Sequence, residues 1–188
     1  MKDLILVGIQ GSGKGTQGKL LSENFGYHIF VTGDELRAIA KSDTDLGREV
    51  KTITERGDLV SNQIVMKIVQ NFVENLEGDT PVIFDGIPRS EDQRQTLEAL
   101  LQAAGRDFEV LEIQLSEEVA FDRLMKRAEL EGRADDNPDS IRKRIANFHE
   151  HTAPMLSTWE AAGRLKSIDG AKNIKDGHQE VIEVLQLD

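Results

Sequence analysis

Short apolar runs alternate along the chain with longer helical patterns. Leu4-Ile5-Leu6-Val7, His28-Ile29-Phe30-Val31, Pro81-Val82-Ile83-Phe84 and Val110-Leu111-Glu112-Ile113-Gln114-Leu115 have the length of strands. Leu165 to Ile168 is a weaker fifth. Apolar strands separated by helices predict an α/β fold, a five-stranded parallel sheet with helices on both faces. Ligands of such sheets gather at the carboxyl ends of the strands. The residues just after Val7, Val31, Phe84 and Leu115 therefore carry the most weight.

Two stretches depart from that alternation. Residues 33 to about 75 are mostly helical in pattern, with a break near Glu55 to Asp58, and are long for a single crossover. Residues 128–137 are polar and turn-like, between a helix predicted over Glu117 to Leu130 and another beginning after Asn137. Asn137-Pro138 supplies an N-cap and a first-position proline. A polar loop between two Arg-bearing helices suits a mobile lid.

Between the first strand and its helix lies Gly8-Ile9-Gln10-Gly11-Ser12-Gly13-Lys14-Gly15-Thr16, with the spacing G-x-x-x-x-G-K. Strand before and helix after is the context this phosphate loop requires. Glycines let backbone N–H groups turn inward around a phosphate, and the helix N-terminus adds its positive end. Lys14 would reach the outer phosphates; Gly15 replaces the usual hydroxyl residue, and Thr16 follows it.

Composition narrows the field. The 188 residues suit one domain, long enough to bury roughly 70% of the unfolded surface. There is no cysteine, which excludes disulfide scaffolds, Cys-based zinc sites and thiol nucleophiles. A formal net charge of -11 argues against nucleic acid or acidic membrane as partner, but not against a small anion held by a local Arg cluster. No run approaches the roughly 20 apolar residues of a membrane span. The expectation is a soluble cytoplasmic protein.

Gly11-Ser12-Gly13-Lys14-Gly15-Thr16-Gln17 resembles the phosphate loop of the adenylate kinase family of nucleoside monophosphate kinases. The likeness continues in order. Thr32-Gly33-Asp34-Glu35-Leu36-Arg37 is similar to the family's T-G-D-x-[LM]-R, and Gly57-Asp58-Leu59-Val60 to its G-x-[LM]-V. Asp85-Gly86-Ile87-Pro88-Arg89 with Gln93 is similar to D-G-[FY]-P-R-x-x-x-Q. Arg123, Arg127, Gly132-Arg133-Ala134-Asp135-Asp136 and Arg144 match its lid region. Arg127 and Arg133 are too close in sequence for the zinc-binding form of that lid. The resemblance implies a P-loop NTPase fold forming one domain over 1–188. Its core would be 1–31, 62–126 and 138–188, with a monophosphate-binding insert at about 32–61 and a short lid at about 127–137.

It also implies a reaction and a set of roles: Mg-dependent phosphoryl transfer from ATP to AMP, giving two ADP. Lys14, Arg89, Arg127, Arg133 and Arg144 would carry the catalytic charge. Gly11, Ser12, Gly13, Lys14, Gly15, Thr16, Arg123, Arg127 and Lys172 would hold ATP, Lys172 through its backbone. Thr32, Arg37, Asp58, Leu59, Val60, Gly86, Ile87, Pro88, Arg89, Gln93, Arg133 and Arg144 would meet AMP. Asp85 would hold Mg²⁺ through waters; no zinc is implied, and a monomer is expected. Arg suits this chemistry because its fork grips two oxygens at once and stays charged.

Some positions read in two ways. Thr32-x-x-Glu35 and Ser90-x-x-Gln93 are also capping boxes. Asp135 and Asp136 are either ion-pair partners of the lid arginines or an acidic loop. Arg142 and Lys143 read as solvated, and Trp159 and Phe72 as core. His149-x-His151 lacks a third metal ligand in reach. Gln10, Val31, Ser61-Asn62 and Ile87 depart from the family pattern, most of them beside the acceptor pocket. A pyrimidine monophosphate kinase, a non-catalytic nucleotide-binding regulator and a small-metabolite P-loop kinase are the alternatives.

Overall fold

The structure is a computed structural model, and it describes residues 1–76, 78–132 and 136–187. Five parallel strands form one sheet: β1 (Asp3–Val7), β2 (His28–Val31), β3 (Val82–Asp85), β4 (Phe108–Gln114) and β5 (Leu165–Asp169). Their spatial order is β2-β3-β1-β4-β5. The helices are α1 (Lys14–Phe25), α2 (Thr32–Ala40), α3 (Asp45–Glu55), α4 (Asn62–Glu74), α5 (Glu91–Ala103), α6 (Glu117–Glu131), α7 (Pro138–Asn147), α8 (Leu156–Ala161) and α9 (Ile174–Leu185). Among the described residues no helix is long and apolar enough to cross a membrane.

Every residue of β1 is buried, as a central strand covered on both faces requires. Its side chains alternate between two cores. Ile5 and Val7 join Val82, Phe84 and Val110 beneath α4, α5 and α8, with Leu97, Leu101 and Trp159. Leu4 and Leu6 join Ile83, Leu111 and Ile113 beneath α1 and α9, with Leu21 and Val181. Each fully buried Leu, Ile, Val or Phe of this kind contributes about 1.5–3 kcal/mol. The edge strands β2 and β5 are only partly covered, which explains the weak signal of the fifth strand. A third core, Ile9, Ala120, Leu124, Ile141 and Ile145, joins α6 to α7 behind the phosphate loop.

The topology opens the site. β1 and β3 are neighbours, yet the chain leaves them in opposite directions: β1 leads to β2 on one side, β3 to β4 on the other. Their crossover helices cover opposite faces, and a crevice opens at the carboxyl ends. Register aligns Asp85 with both Val31 and Leu6. The segments beginning at Gly8, Thr32 and Gly86 thus leave the sheet side by side.

The excursion at 33–75 holds three helices rather than two. Its additional break, at 41–44, ends on Thr44, whose hydroxyl accepts the Gly47 N–H at 3.0 Å. α7 starts as its sequence dictates, with Asn137 as N-cap and Pro138 in the first turn. It runs on into a single π turn, Phe148–Thr152, and a 3₁₀ turn, Ala153–Met155. Pro154 has no N–H to give the α-helical ladder, which accounts for the change of pitch.

Candidate active site

A cavity of about 1020 Å³ lies over the carboxyl ends of β1, β2 and β3 and reaches α6 and α7. That volume is at the upper limit of sites for one small molecule, which run to about 1,000 Å³. The phosphate loop forms its floor. Gly8 has no room for a side chain, since a Cβ there would sit 2.5 Å from the Ile113 carbonyl oxygen. Gly11, with φ +86, similarly crosses close to the Ala120 carbonyl. α1 begins at Lys14 with no side-chain cap and no acid in its first turn, so its N–H groups and positive end face the crevice.

Lys14 donates to the carbonyls of Gly8 at 2.7 Å and Ile9 at 3.0 Å. Burial lowers its pKa to about 8, and Arg89 and Arg127 add to that effect against the opposing pull of Asp85. Its charge is held in reserve by two carbonyls that an anion can outbid. The Ser12 hydroxyl is buried without a hydrogen-bond partner, close to Gly8.

On the β2–β3 side, Val31 caps α2 through its backbone and Thr32 makes no cap bond. The capping-box reading of Thr32 therefore does not hold. Its hydroxyl is buried without a partner on the cavity wall. Gly86 brings Arg89 and Thr32 together: at φ +84, a Cβ would lie 3.2 Å from an Arg89 guanidinium nitrogen. Arg89 Nε donates to the Gly86 carbonyl at 2.9 Å, and burial pulls the guanidinium below its ordinary pKa. Ile87 and Pro88 are joined by a cis peptide. Pro88 lines the cavity, and the Ile87 side chain packs into the main core beside it. Arg37 folds back over Gly33 and pairs with Asp34.

The α3–α4 turn, with Gly57, Asp58, Leu59 and Val60, lines the same wall. It is docked on α7. Asp58 pairs with Lys143, and the Gly57 carbonyl accepts from Asn147 Nδ2 at 3.2 Å. Lys143 stays exposed in that pair, in keeping with the solvated reading. Arg142 is exposed, over the ring of Phe121.

On the β4–β5 side, Arg123 donates to the Gly170 carbonyl at 2.9 Å and reaches the Gly11 carbonyl at 3.4 Å. Arg127 grips Asp136 with two bonds, of 2.6 and 2.8 Å, and Arg144 adds a third at 2.6 Å. Burial alone would raise the Asp136 pKa, but the bonds from Arg127 and Arg144 outweigh it and hold the carboxyl below its ordinary range. Asp136 is therefore an ion-pair partner of the lid arginines. Arg133 and Asp135 lie outside the described residues. Lys172 is turned to Glu180 at 3.2 Å and its side chain does not line the cavity. His149 pairs with Glu117. Trp159 is buried in the core and Phe72 packs against it.

Several lining residues escaped the sequence reading, among them Gln10, Lys51, Thr54 and Asn147. Gln10 stood out only as a departure; its Oε1 is buried without a partner. Among the described residues no three acidic or His side chains cluster as a metal cage. Asp85 stands as a single carboxylate near Gly15, on the cavity wall.

A phosphate loop and several converging arginines suit transfer of a phosphoryl group between two anions, and comparison with known proteins agrees. The family model described as adenylate kinase matches residues 6–164. An adenylate kinase of Thermus thermophilus is 39% identical over 168 residues, 89% of this chain and 88% of its own. One from Caulobacter vibrioides is 37% identical over 174 residues, 92% of this chain and 91% of its own. One from Phocaeicola vulgatus is 36% identical over 171 residues, 90% of each. With its phosphate loop and its site arginines inside the family match, and relatives of this identity covering most of its length, the chain belongs to the adenylate kinase family.

Proposed function

We propose that this chain catalyses reversible transfer of the terminal phosphoryl of ATP to AMP, giving two ADP. The observation that carries the reading is the convergence of Lys14, Arg89, Arg123, Arg127 and Arg144 on one cavity large enough for two nucleotides.

ATP would lie on the β4–β5 side, its phosphates in the loop and its adenine against Arg123. AMP would lie on the β2–β3 side, its phosphate between Arg37 and Arg89 and its base near Thr32, Val60 and Gln93. The bond from the γ-phosphorus to its bridging oxygen breaks as a bond to the AMP phosphate oxygen forms, with no proton consumed. Charge spreads over the moving group's oxygens, so catalysis is positioning and positive charge in a closed site. Lys14 and Arg89 approach from the sheet and Arg127 and Arg144 from the helices flanking the lid, with Arg133 assigned to the same task. Residues 32–61 serve as the acceptor insert and 127–137 as the closing segment.

A lone carboxylate beside a phosphate loop suits Mg²⁺, which keeps several waters and is completed by phosphate oxygens. Asp85 would hold it through water. When bound, the ion neutralises charge between the phosphates. The same reading has the protein acting as a cytoplasmic monomer on free nucleotides, which the net charge of -11 favours over nucleic-acid or membrane binding.

The test is ADP formation from Mg·ATP with AMP, CMP, UMP and GMP offered separately, alongside Arg89→Ala. Turnover should favour AMP strongly and fall about 10²–10³-fold in the variant. Preference for CMP or UMP would make the chain a pyrimidine nucleotide kinase. Tight ATP binding without turnover would leave a regulator.

A further inference from the structure

We infer that Asn62 is a positioning residue that locks the Gln93 amide in one orientation and thereby sets the choice between 6-amino and 6-oxo purine monophosphates. The inference rests on the AMP-kinase reading.

Gln93 is buried and lines the cavity. Its Oε1 accepts the backbone N–H of Arg89 at 2.7 Å, and its Nε2 donates to Asn62 Oδ1 at 2.9 Å. Both ends of this chain have fixed polarity. A backbone N–H can only donate. Asn62 is held in turn with Nδ2 toward the Asp92 carboxylate at 3.5 Å, which can only accept. The Ser90 hydroxyl accepts the Gln93 backbone N–H, so its own proton is free to go to Asn62 Oδ1, both at 3.4 Å. Hydrogen-bond logic alone thus assigns both amides.

What Gln93 keeps for a base is its second amide proton and its second carbonyl lone pair. Adenine offers the complement, an acceptor at N1 and a donor at the 6-amino group. A 6-oxo purine offers the same two functions in reversed places, a donor at N1 and an acceptor at O6. A freely turning amide would serve both. Turning Gln93 here would set Nε2 against the Arg89 N–H and Oε1 against Asn62 Oδ1, losing two bonds and creating two repulsions. Rejection that leaves buried polar groups unpaired is the strong kind of discrimination.

The experiment compares AMP with inosine monophosphate, which lacks the 2-amino group of GMP and so isolates position 6. In Asn62→Ala the ratio of kcat/KM for AMP over that for inosine monophosphate should fall about tenfold. KM for AMP should rise several-fold while kcat changes less than about twofold. Asn62→Asp combined with Asp92→Asn keeps an acceptor facing Gln93 and sets an amide, not a second carboxylate, against its other oxygen, so it should restore the ratio. An Asn62→Ala enzyme less stable but with an unchanged ratio would make Asn62 a structural link between α4 and α5 and overturn the proposal. A doubly substituted Asn62→Asp, Asp92→Asn enzyme as relaxed as Asn62→Ala would overturn it too. In both cases wild-type turnover of AMP keeps the kinase reading intact; wild-type protein without AMP turnover would sink that reading and this inference with it.

Discussion

Arg127 holds Asp136 in a two-pronged grip, and the same carboxylate, fully buried, also takes a bond from Arg144. One acid thus ties the arginine of α6 to that of α7 at the two ends of the lid. Asp136→Asn would put an amide N–H against guanidinium donors. Activity should fall about 10–100-fold through misplaced arginines. Stability should fall by about 2–3 kcal/mol, short of the full value for a buried pair because Arg127 keeps 29% of its side chain exposed. Steady-state kinetics and urea unfolding check the two effects separately.

The same carboxyl gives a pH dependence. Its folded-state pKa is depressed below the ordinary 3.8, so its stabilisation is complete above that value and is lost as pH falls through the lower folded-state one. Urea midpoints of wild type and Asp136→Asn should differ at pH 6 and converge on acidification below about pH 4. A constant difference would show that the carboxylate charge is not what the arginines hold.

Lys14, with a pKa near 8 in the free protein, should regain full charge against a polyphosphate. ATP binding at pH 8 should then take up about half a proton, falling to about a tenth at pH 7. Calorimetry in buffers of different ionisation enthalpy measures this directly. Lys14→Met should abolish the uptake. The same shift predicts that the unliganded protein gains stability from this group as pH rises from about 8 towards 10.5, because burial penalises only the charged form.

Gly57 joins the acceptor insert to α7. It sits at φ +72, and a Cβ there would lie 2.7 Å from the Ser140 carbonyl oxygen. Gly57→Ala combines backbone strain with a contact that cannot relax through a flexible side chain. A cost of about 2–3 kcal/mol is expected, with a raised KM for AMP because the Asp58–Val60 wall shifts. An alanine variant equal to wild type in both would mean that the turn is free to move off α7.

Asp3 tests the fold apart from the chemistry. It is buried at the amino end of β1, accepts the Val82 N–H at 2.8 Å and binds Arg106 twice, at 2.6 and 2.7 Å. Asp3→Ala should cost about 3–5 kcal/mol by stranding Arg106 and a strand N–H. KM and kcat should hold at temperatures where the variant stays folded, because the site is at the opposite end of the sheet.

The phosphate loop, the arginine series and the strands were legible because each is written locally. The spacing of glycines and lysine specifies a strand-turn-helix on its own, and a continuous apolar run marks a doubly covered strand. The capping boxes show the limit of such reading. Ser90 does cap α5, yet the Gln93 side chain turns to Arg89 and Asn62, and Thr32 caps nothing. A local pattern names the available bonds, and competing partners from elsewhere in the fold choose among them.

Local periodicity and residue type thus specify the α/β class, the phosphate site and which charges the protein brings to it. Who faces whom is set by the packing of the folded chain. It placed Ile87 in the core, paired Lys143 with Asp58, gave Asp136 to two arginines and fixed the Gln93 amide through Asn62. Those pairings join residues distant in sequence, or turn on one rotamer among several, and their energies exist only once strand order has brought the partners within hydrogen-bond reach.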